Sequence, residues 1–179
     1  MRRLLLANKD MSVINFGEAV LRVAAIGIGA TAAMDLWALA QKRLLGIPSL
    51  DYAMVGRWLA GLPQGKVFHD GIGRSPPASG EKVIGWVAHY AIGIMFAGLL
   101  MMVAGEGWLS APTLGVAILI GLATVAAPFL VLQPGMGAGI AASRTPKPAV
   151  ARTRSVIAHL SFGIGLYLAG VATTIIAPL

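Results

Sequence analysis

The chain has no cysteine. That absence removes a disulfide framework, a thiol nucleophile and a thiolate metal site together, and leaves the redox compartment unmarked. Acid is scarce as well: seven Asp and Glu stand against fourteen Lys and Arg over 179 residues, a formal net charge of +7. Such an excess of base invites a nucleic-acid reading, but the basic residues lie in the gaps between apolar segments and never gather on one helix face. Topology signals and contact with anionic lipid headgroups account for them, and no nucleic-acid partner is expected. Charged residues of either sign make up only 12% of the chain, whereas 57% is hydrophobic and the mean hydropathy is +0.79. Soluble domains carry about 45–50% apolar residues, so the excess belongs in a lipid bilayer.

Four segments meet the span requirement of roughly 20 mostly apolar residues: about 20–41, 83–104, 113–133 and 155–177. The fold class is therefore all-α, a polytopic membrane four-helix bundle. Residues 1–18 read as an N-terminal extension and 19–179 as a single membrane domain. Met11 offers an alternative start, and residues 1–10 are expected to be dispensable to the fold. Ala30-Thr31-Ala32 imitates a signal-peptide cleavage motif, but apolar sequence runs on through Leu36 to Ala40, too long for the apolar region of such a peptide.

Lys and Arg then assign the membrane sides. Loop 42–82 carries Lys42, Arg43, Arg57, Lys66, Arg74 and Lys82, and loop 134–154 carries Arg144, Lys147, Arg152 and Arg154, while the connection 105–112 carries none. By the positive-inside rule both basic loops are cytoplasmic and both termini lie outside; Arg2, Arg3 and Lys9 oppose this if the extension is native. Within the first loop, 48–59 reads as a short amphipathic interfacial helix. Ser49 is its candidate N-cap, Asp51 complements its N-terminus, and Tyr52, Val55, Trp58, Leu59 and Leu62 share one face. Pro128 should kink the third span.

Span two contains Ala88-His89-x-x-x-Gly93-Ile94 and span four Ala158-His159-x-x-x-Gly163-Ile164, with a fainter echo of Ala30-Thr31 in Ala123-Thr124. The bundle is thus read as two pseudo-repeated hairpins, related by an axis along the membrane normal as in some transporters.

Ionisable residues inside spans are costly and mark functional sites by default. Three are read here: Asp35, His89 and His159. At about 1.5 Å rise per residue they lie roughly 8–10 Å below Lys42, Lys82 and Arg154, a single layer in the cytoplasmic half, which Gln133 can join from the end of span three. Three uses are open to such a layer. The histidines, in the small-residue stripes Gly85-His89-Gly93-Ala97 and Ser155-His159-Gly163-Tyr167, can be interhelical hydrogen-bond glue with Asp35 as acceptor. Asp35 and a histidine can relay protons while a small solute crosses. Or His89 and His159 can be axial ligands of haem b, or, with Asp35, ligands of a divalent metal. No catalytic residue is assigned and no cofactor is required. Function is read as a small-solute or proton-coupled transport component, with an accessory or structural subunit of a larger membrane complex as the alternative and a membrane redox protein third. Four short spans enclose little interior, so self-association or a membrane complex is expected.

Two further features carry less. His69-Asp70 belongs to a solvated or interfacial loop. Gly135-Met136-Gly137-Ala138-Gly139 has the glycine density of a phosphate-cradling loop, but no strand precedes it, so it reads as a tight break where backbone approaches another helix.

The runs Gly29 to Trp37, Gly46 to Tyr52, Gly56-Arg57-Trp58, Gly85 to Gly93 and Pro128 to Gly139 resemble the bacterial inner-membrane proteins catalogued as domain of unknown function 2938. The resemblance runs from about residue 15 to the C-terminus, and Leu132-Gln133-Pro134-Gly135-Met136-Gly137-Ala138-Gly139 is its most specific part. It implies a multi-pass protein of the bacterial inner (plasma) membrane, with Asp35, His89, Gln133 and His159 as regular members of the family pattern. It implies no reaction.

Overall fold

The structure, a computed structural model, describes residues 16–176. The readings placed on residues 1–10 and Met11 lie outside them. Four helices are long and apolar enough to cross a membrane: α1 (Phe16–Leu45), α3 (Glu81–Ala104), the broken third span Leu114–Gly135, and α7 (Pro148–Ile176). Apolar segments of this length form helices in lipid because a helix satisfies its backbone polar groups internally. Where charge and turn residues return, the spans stop. Gly105, at φ +76°, ends α3 in a conformation that other residues resist, and its N–H closes on the Met101 carbonyl.

In the third span, α5 (Leu114–Ala123) gives way to a turn, a π-helical stretch Pro128–Leu132 and the short α6 (Gln133–Gly135). Pro128 has no N–H to donate and its ring crowds the preceding turn, so the regular ladder cannot continue through it. The expected kink is thus a change of helical type.

α1 packs against both α3 and α7, α7 against both α1 and α5, and α2 (Tyr52–Gly61) lies on the first half of α3. Glycines set the closest approaches. A Cβ on Gly27 would fall 2.5 Å from the Ile94 Cα of α3, and one on Gly121 would fall 2.5 Å from the Gly163 Cα of α7. Small residues at such crossings bring backbones together where lipid supplies no hydrophobic drive.

The apolar core fills one end of the bundle: Ile26 and Ala30 of α1, Ala97 and Leu100 of α3, Ala117 and Ile120 of α5, and Phe162 and Leu166 of α7. That end is closed by the short α4 (Gly107–Ser110), which turns Trp108 and Leu109 inward. Gly170 makes room for the indole, since a Cβ there would meet the Trp108 ring at 2.6 Å. Long apolar side chains point outward from every span, Leu36, Val87, Met95, Leu119 and Leu168 among them, as lipid-facing positions must.

The two basic loops meet at the other end. The His69 N–H donates to the Gly135 carbonyl at 3.0 Å and the Ile72 N–H to the Met136 carbonyl at 3.0 Å. The glycine-rich break therefore docks on a loop, where the sequence suggested a helix; Gly135 does also sit under α2, where a Cβ would meet the Trp58 indole at 2.5 Å.

α2 begins at Tyr52, four residues after the expected start. Its cap is Asp51, whose side chain accepts from the Ala53 N–H at 3.0 Å, in place of Ser49. The extended backbone of Asp51 and the bond its carboxylate accepts from the first turn set this start. The face carrying Val55 and Trp58 is buried in protein.

Arg57 binds the carboxylate of Glu81, at the start of α3, through two bonds of 2.8 and 2.9 Å. Its remaining nitrogen donates to the carbonyls of Ile72 and Ser75, and Glu81 accepts from the Ala78 N–H. One guanidinium thus ties α2, the loop and α3, as a bidentate fork can and an ammonium cannot. Arg57→Ala is expected to raise cleavage of the 62–80 segment by a soluble protease severalfold in limited proteolysis; cleavage at the wild-type rate would show that this clamp does not hold the loop.

Candidate functional site

Asp35 lies on α1 two turns beyond the Gly27 crossing, and His89 lies on α3 one turn before Gly93, so the same close approach that joins the helices brings the two side chains together. His89 Nε2 is 3.0 Å from Asp35 Oδ1. Tyr52, delivered by the first turn of α2, donates to Asp35 Oδ1 at 3.2 Å and also lies 2.9 Å from His89 Nε2. Tyr90 donates to Asp35 Oδ2 at 3.1 Å. The carboxylate is thus bound by groups from three directions, with its side chain 19% exposed and that of His89 13%.

The cluster is walled by rings. Tyr52 stacks on the His89 imidazole at 4.1 Å between centroids, Trp86 leans on Tyr52 at 4.6 Å, and Tyr90 meets His89 edge-on at 5.5 Å. Burial, then the neighbouring Asp35 carboxylate, push the Tyr52 hydroxyl well above its ordinary range. It stays a proton donor under all physiological conditions.

Gly85 makes the docking of Tyr52 attainable. A Cβ there would lie 1.8 Å from the Tyr52 carbonyl oxygen, and one on Gly56 would lie 1.8 Å from the Glu81 carbonyl oxygen. The two helices touch backbone to backbone.

The four residues read as one layer fall into separate groups. Asp35 and His89 are joined, whereas His159 Nδ1 is 2.8 Å from Thr124 Oγ1, whose hydroxyl is also 2.6 Å from the Gly121 carbonyl. Gln133 donates to Ser155 Oγ at 3.2 Å, one turn from His159 on α7, and its Oε1 is buried without a partner. Counting residues from the membrane edge measures depth alone and leaves open which way round its helix axis each side chain points. The metal reading needs Asp35, His89 and His159 together, and among the described residues no three His, Asp or Glu side chains form such a group.

Sequence reasoning missed several partners. Tyr52 was placed at the headgroup layer with α2, and Tyr90 was passed over although it adjoins His89 and stands one turn from Trp86. Thr124 was noticed only as part of a repeat. Arg22 is a fourth ionisable residue within a span: it is 5% exposed and pairs with Glu18 at 2.8 Å, in the half of α1 that also supplies the apolar core. The Glu-to-Arg spacing of four on one helix was the available signal.

Four apolar helices around an intramembrane carboxylate and histidine define an integral membrane protein of the multi-pass class. The chain belongs to the family described as protein of unknown function (DUF2938), whose model matches residues 24–173, a narrower reach than the sequence resemblance suggested. No curated protein and no solved structure matches it.

Proposed function

We propose that the protein is a small-solute or proton-coupled transport component in which the Asp35 and His89 pair carries the proton. The observation that supports this most is the triangle of Asp35 Oδ1, His89 Nε2 and the Tyr52 hydroxyl, each within 3.2 Å of the other two. With Asp35 a carboxylate and His89 an imidazolium carrying protons on both ring nitrogens, both Tyr52 and His89 Nε2 donate to Asp35, and the edge between tyrosine and histidine has no proton. Move the Nε2 proton to Asp35, and the acid donates to the bare Nε2 of a neutral imidazole that keeps its proton on Nδ1. Both arrangements satisfy the same heavy-atom positions, so the proton changes place without a helix moving. Imidazole titrates near neutrality and carboxylates within spans mark proton paths.

The reading extends to the whole bundle. The two basic loops share one end, which under the positive-inside rule is the cytoplasmic one, and the Asp35 cluster lies towards it. α2, roofing that cluster, is the interfacial element. The approach of Gly27 to Gly93 in the first hairpin has its counterpart in that of Gly121 to Gly163 in the second, each four residues beyond a histidine, which supports a duplicated hairpin. In the second half the partner of the histidine is the Thr124 hydroxyl and not a carboxylate, so the proton site is assigned to the first half.

Asp35→Asn separates this reading from simple interhelical glue, because the amide keeps the size and one acceptor oxygen of the carboxylate but cannot titrate. Proteoliposomes loaded with a pH-sensitive dye should dissipate an imposed pH step with wild-type protein, and fall to the rate of protein-free vesicles with Asp35→Asn. Equal rates for the two proteins overturn the proposal.

A further inference from the structure

The segment 62–80 is built more firmly than a connection between helices requires. Trp58 Nε1 donates to the Val67 carbonyl at 2.8 Å, the His69 and Ile72 N–H groups are held by Gly135 and Met136, and Arg57 holds the Ile72 and Ser75 carbonyls. Gly137, at φ +89°, lies so close that a Cβ would meet the His69 carbonyl oxygen at 2.3 Å and the Gly71 nitrogen at 2.5 Å. The most specific run of the sequence, Leu132 to Gly139, thus serves to seat this loop. The anchored loop borders an open cavity of about 430 Å³, lined by Lys66, Phe68, His69, Asp70, Arg74 and Ser75 among others.

We infer that this cavity is a seat for a phosphate-bearing anion, with Lys66 and Arg74 as its cations and His69 as a nitrogen at its floor. His69 has one ring nitrogen, Nδ1, 3.1 Å from Ser75 Oγ, while the other, Nε2, is buried without a hydrogen-bond partner. The Arg74 guanidinium is turned back onto the Asp70 carbonyl and so is held in place before a ligand arrives. Asp70 contributes one negative charge to the lining against the two cations. A second, smaller cavity of about 280 Å³ shares Phe68 and adds Arg144. A guanidinium already turned to the loop, a second cation at Lys66 and a histidine nitrogen without a partner suit a group with several acceptor oxygens.

The same chemistry is offered by free phosphate and by the headgroup of an anionic lipid, and the surroundings favour lipid. Phe68, 76% exposed, lines the cavity beside Lys66 and Arg74, and Ile140, 62% exposed, lines the adjoining one beside Arg144. Apolar side chains beside basic ones match a headgroup with acyl chains beneath it.

The test uses the full chain in detergent micelles, with short-chain phosphatidylglycerol, short-chain phosphatidylcholine and inorganic phosphate as separate probes, read by native mass spectrometry and by melting temperature. Wild-type protein should retain phosphatidylglycerol over phosphatidylcholine. The double variant K66Q/R74Q, with both changes at exposed positions, should lose at least about tenfold in that retention, with its unliganded melting temperature unchanged. K42Q, a cation elsewhere on the same side, should behave as wild type. Phe68→Ser should weaken phosphatidylglycerol alone if lipid is the source; stabilisation by inorganic phosphate, lost in K66Q/R74Q and kept in Phe68→Ser, assigns the seat to a soluble phosphate. Equal retention of the two lipids without stabilisation by phosphate, a double variant that binds as wild type does, or a K42Q loss as large as that of the double variant each overturn the inference.

Discussion

Gly85→Val should unseat α2 from α3 and carry Tyr52 away from Asp35. The new Cβ would stand 1.8 Å from the Tyr52 carbonyl oxygen and 3.1 Å from the Gly56 nitrogen, and both obstacles are backbone, so no side-chain rotation relieves the clash. Overpacking an ordinary core costs about 1–3 kcal/mol; with no rotamer to yield, the expected loss here is at the upper end, about 3 kcal/mol. Gly98→Val, on the same helix but with open space around the site, should change stability by no more than about 0.5 kcal/mol. Unfolding in mixed micelles, followed by tryptophan fluorescence, compares the two. Equal stabilities would mean that α2 does not rest on α3 through these glycines.

The second large effect concerns the carboxylate itself. Asp35→Leu removes the acceptor shared by Tyr52, Tyr90 and His89, leaving donors in a partly dry cluster with nothing to bind. Each buried donor left unsatisfied costs about 1–3 kcal/mol, but the side chains are 13–19% exposed in the histidine and aspartate and rearrange in part. A net loss of roughly 2–4 kcal/mol is expected. Tyr90→Phe deletes one donor and one bond only, and should cost about 1 kcal/mol. In a double-mutant cycle, Tyr52→Phe and His89→Leu should be coupled by about 0.5 kcal/mol or more. Strict additivity would show that the triangle is three separate contacts, and would remove the cooperative basis for moving a proton within it.

How much of this was legible depends on which physical quantity each residue reports. Span number, the small-residue stripes and the break at Pro128 follow from apolar length, from the need for close backbone approach and from a missing N–H, all local properties. The stripe Gly85-His89-Gly93-Ala97 does line the face that meets α2, α1 and the core. That Asp35 bonds His89 while His159 bonds Thr124 and Gln133 bonds Ser155 was not legible, because it depends on how helices are rotated about their own axes. An amphipathic helix at α2 is legible, but not that Val55 and Trp58 of its apolar face are buried in protein. Tyr52 and Trp58 suit a headgroup layer and a protein groove equally well, and the discriminating residues are the glycines opposite them, Gly85 and Gly135.

The break in the third span has a geometric result of its own. In an unbroken α-helix, residues advance about 100° each, so Thr124 and Gln133, nine apart, would be half a turn out of phase and face opposite sides. Yet Thr124 reaches His159 and Gln133 reaches Ser155, neighbours on one face of α7. The turn and π-helical stretch between them shift the phase of the helix, so that both contacts fall on the side of α7. Both halves of the span therefore address the same partner, as two teeth set on one rail. Any change that restored a regular ladder at 124–132 would leave the first contact standing and swing the second out towards lipid.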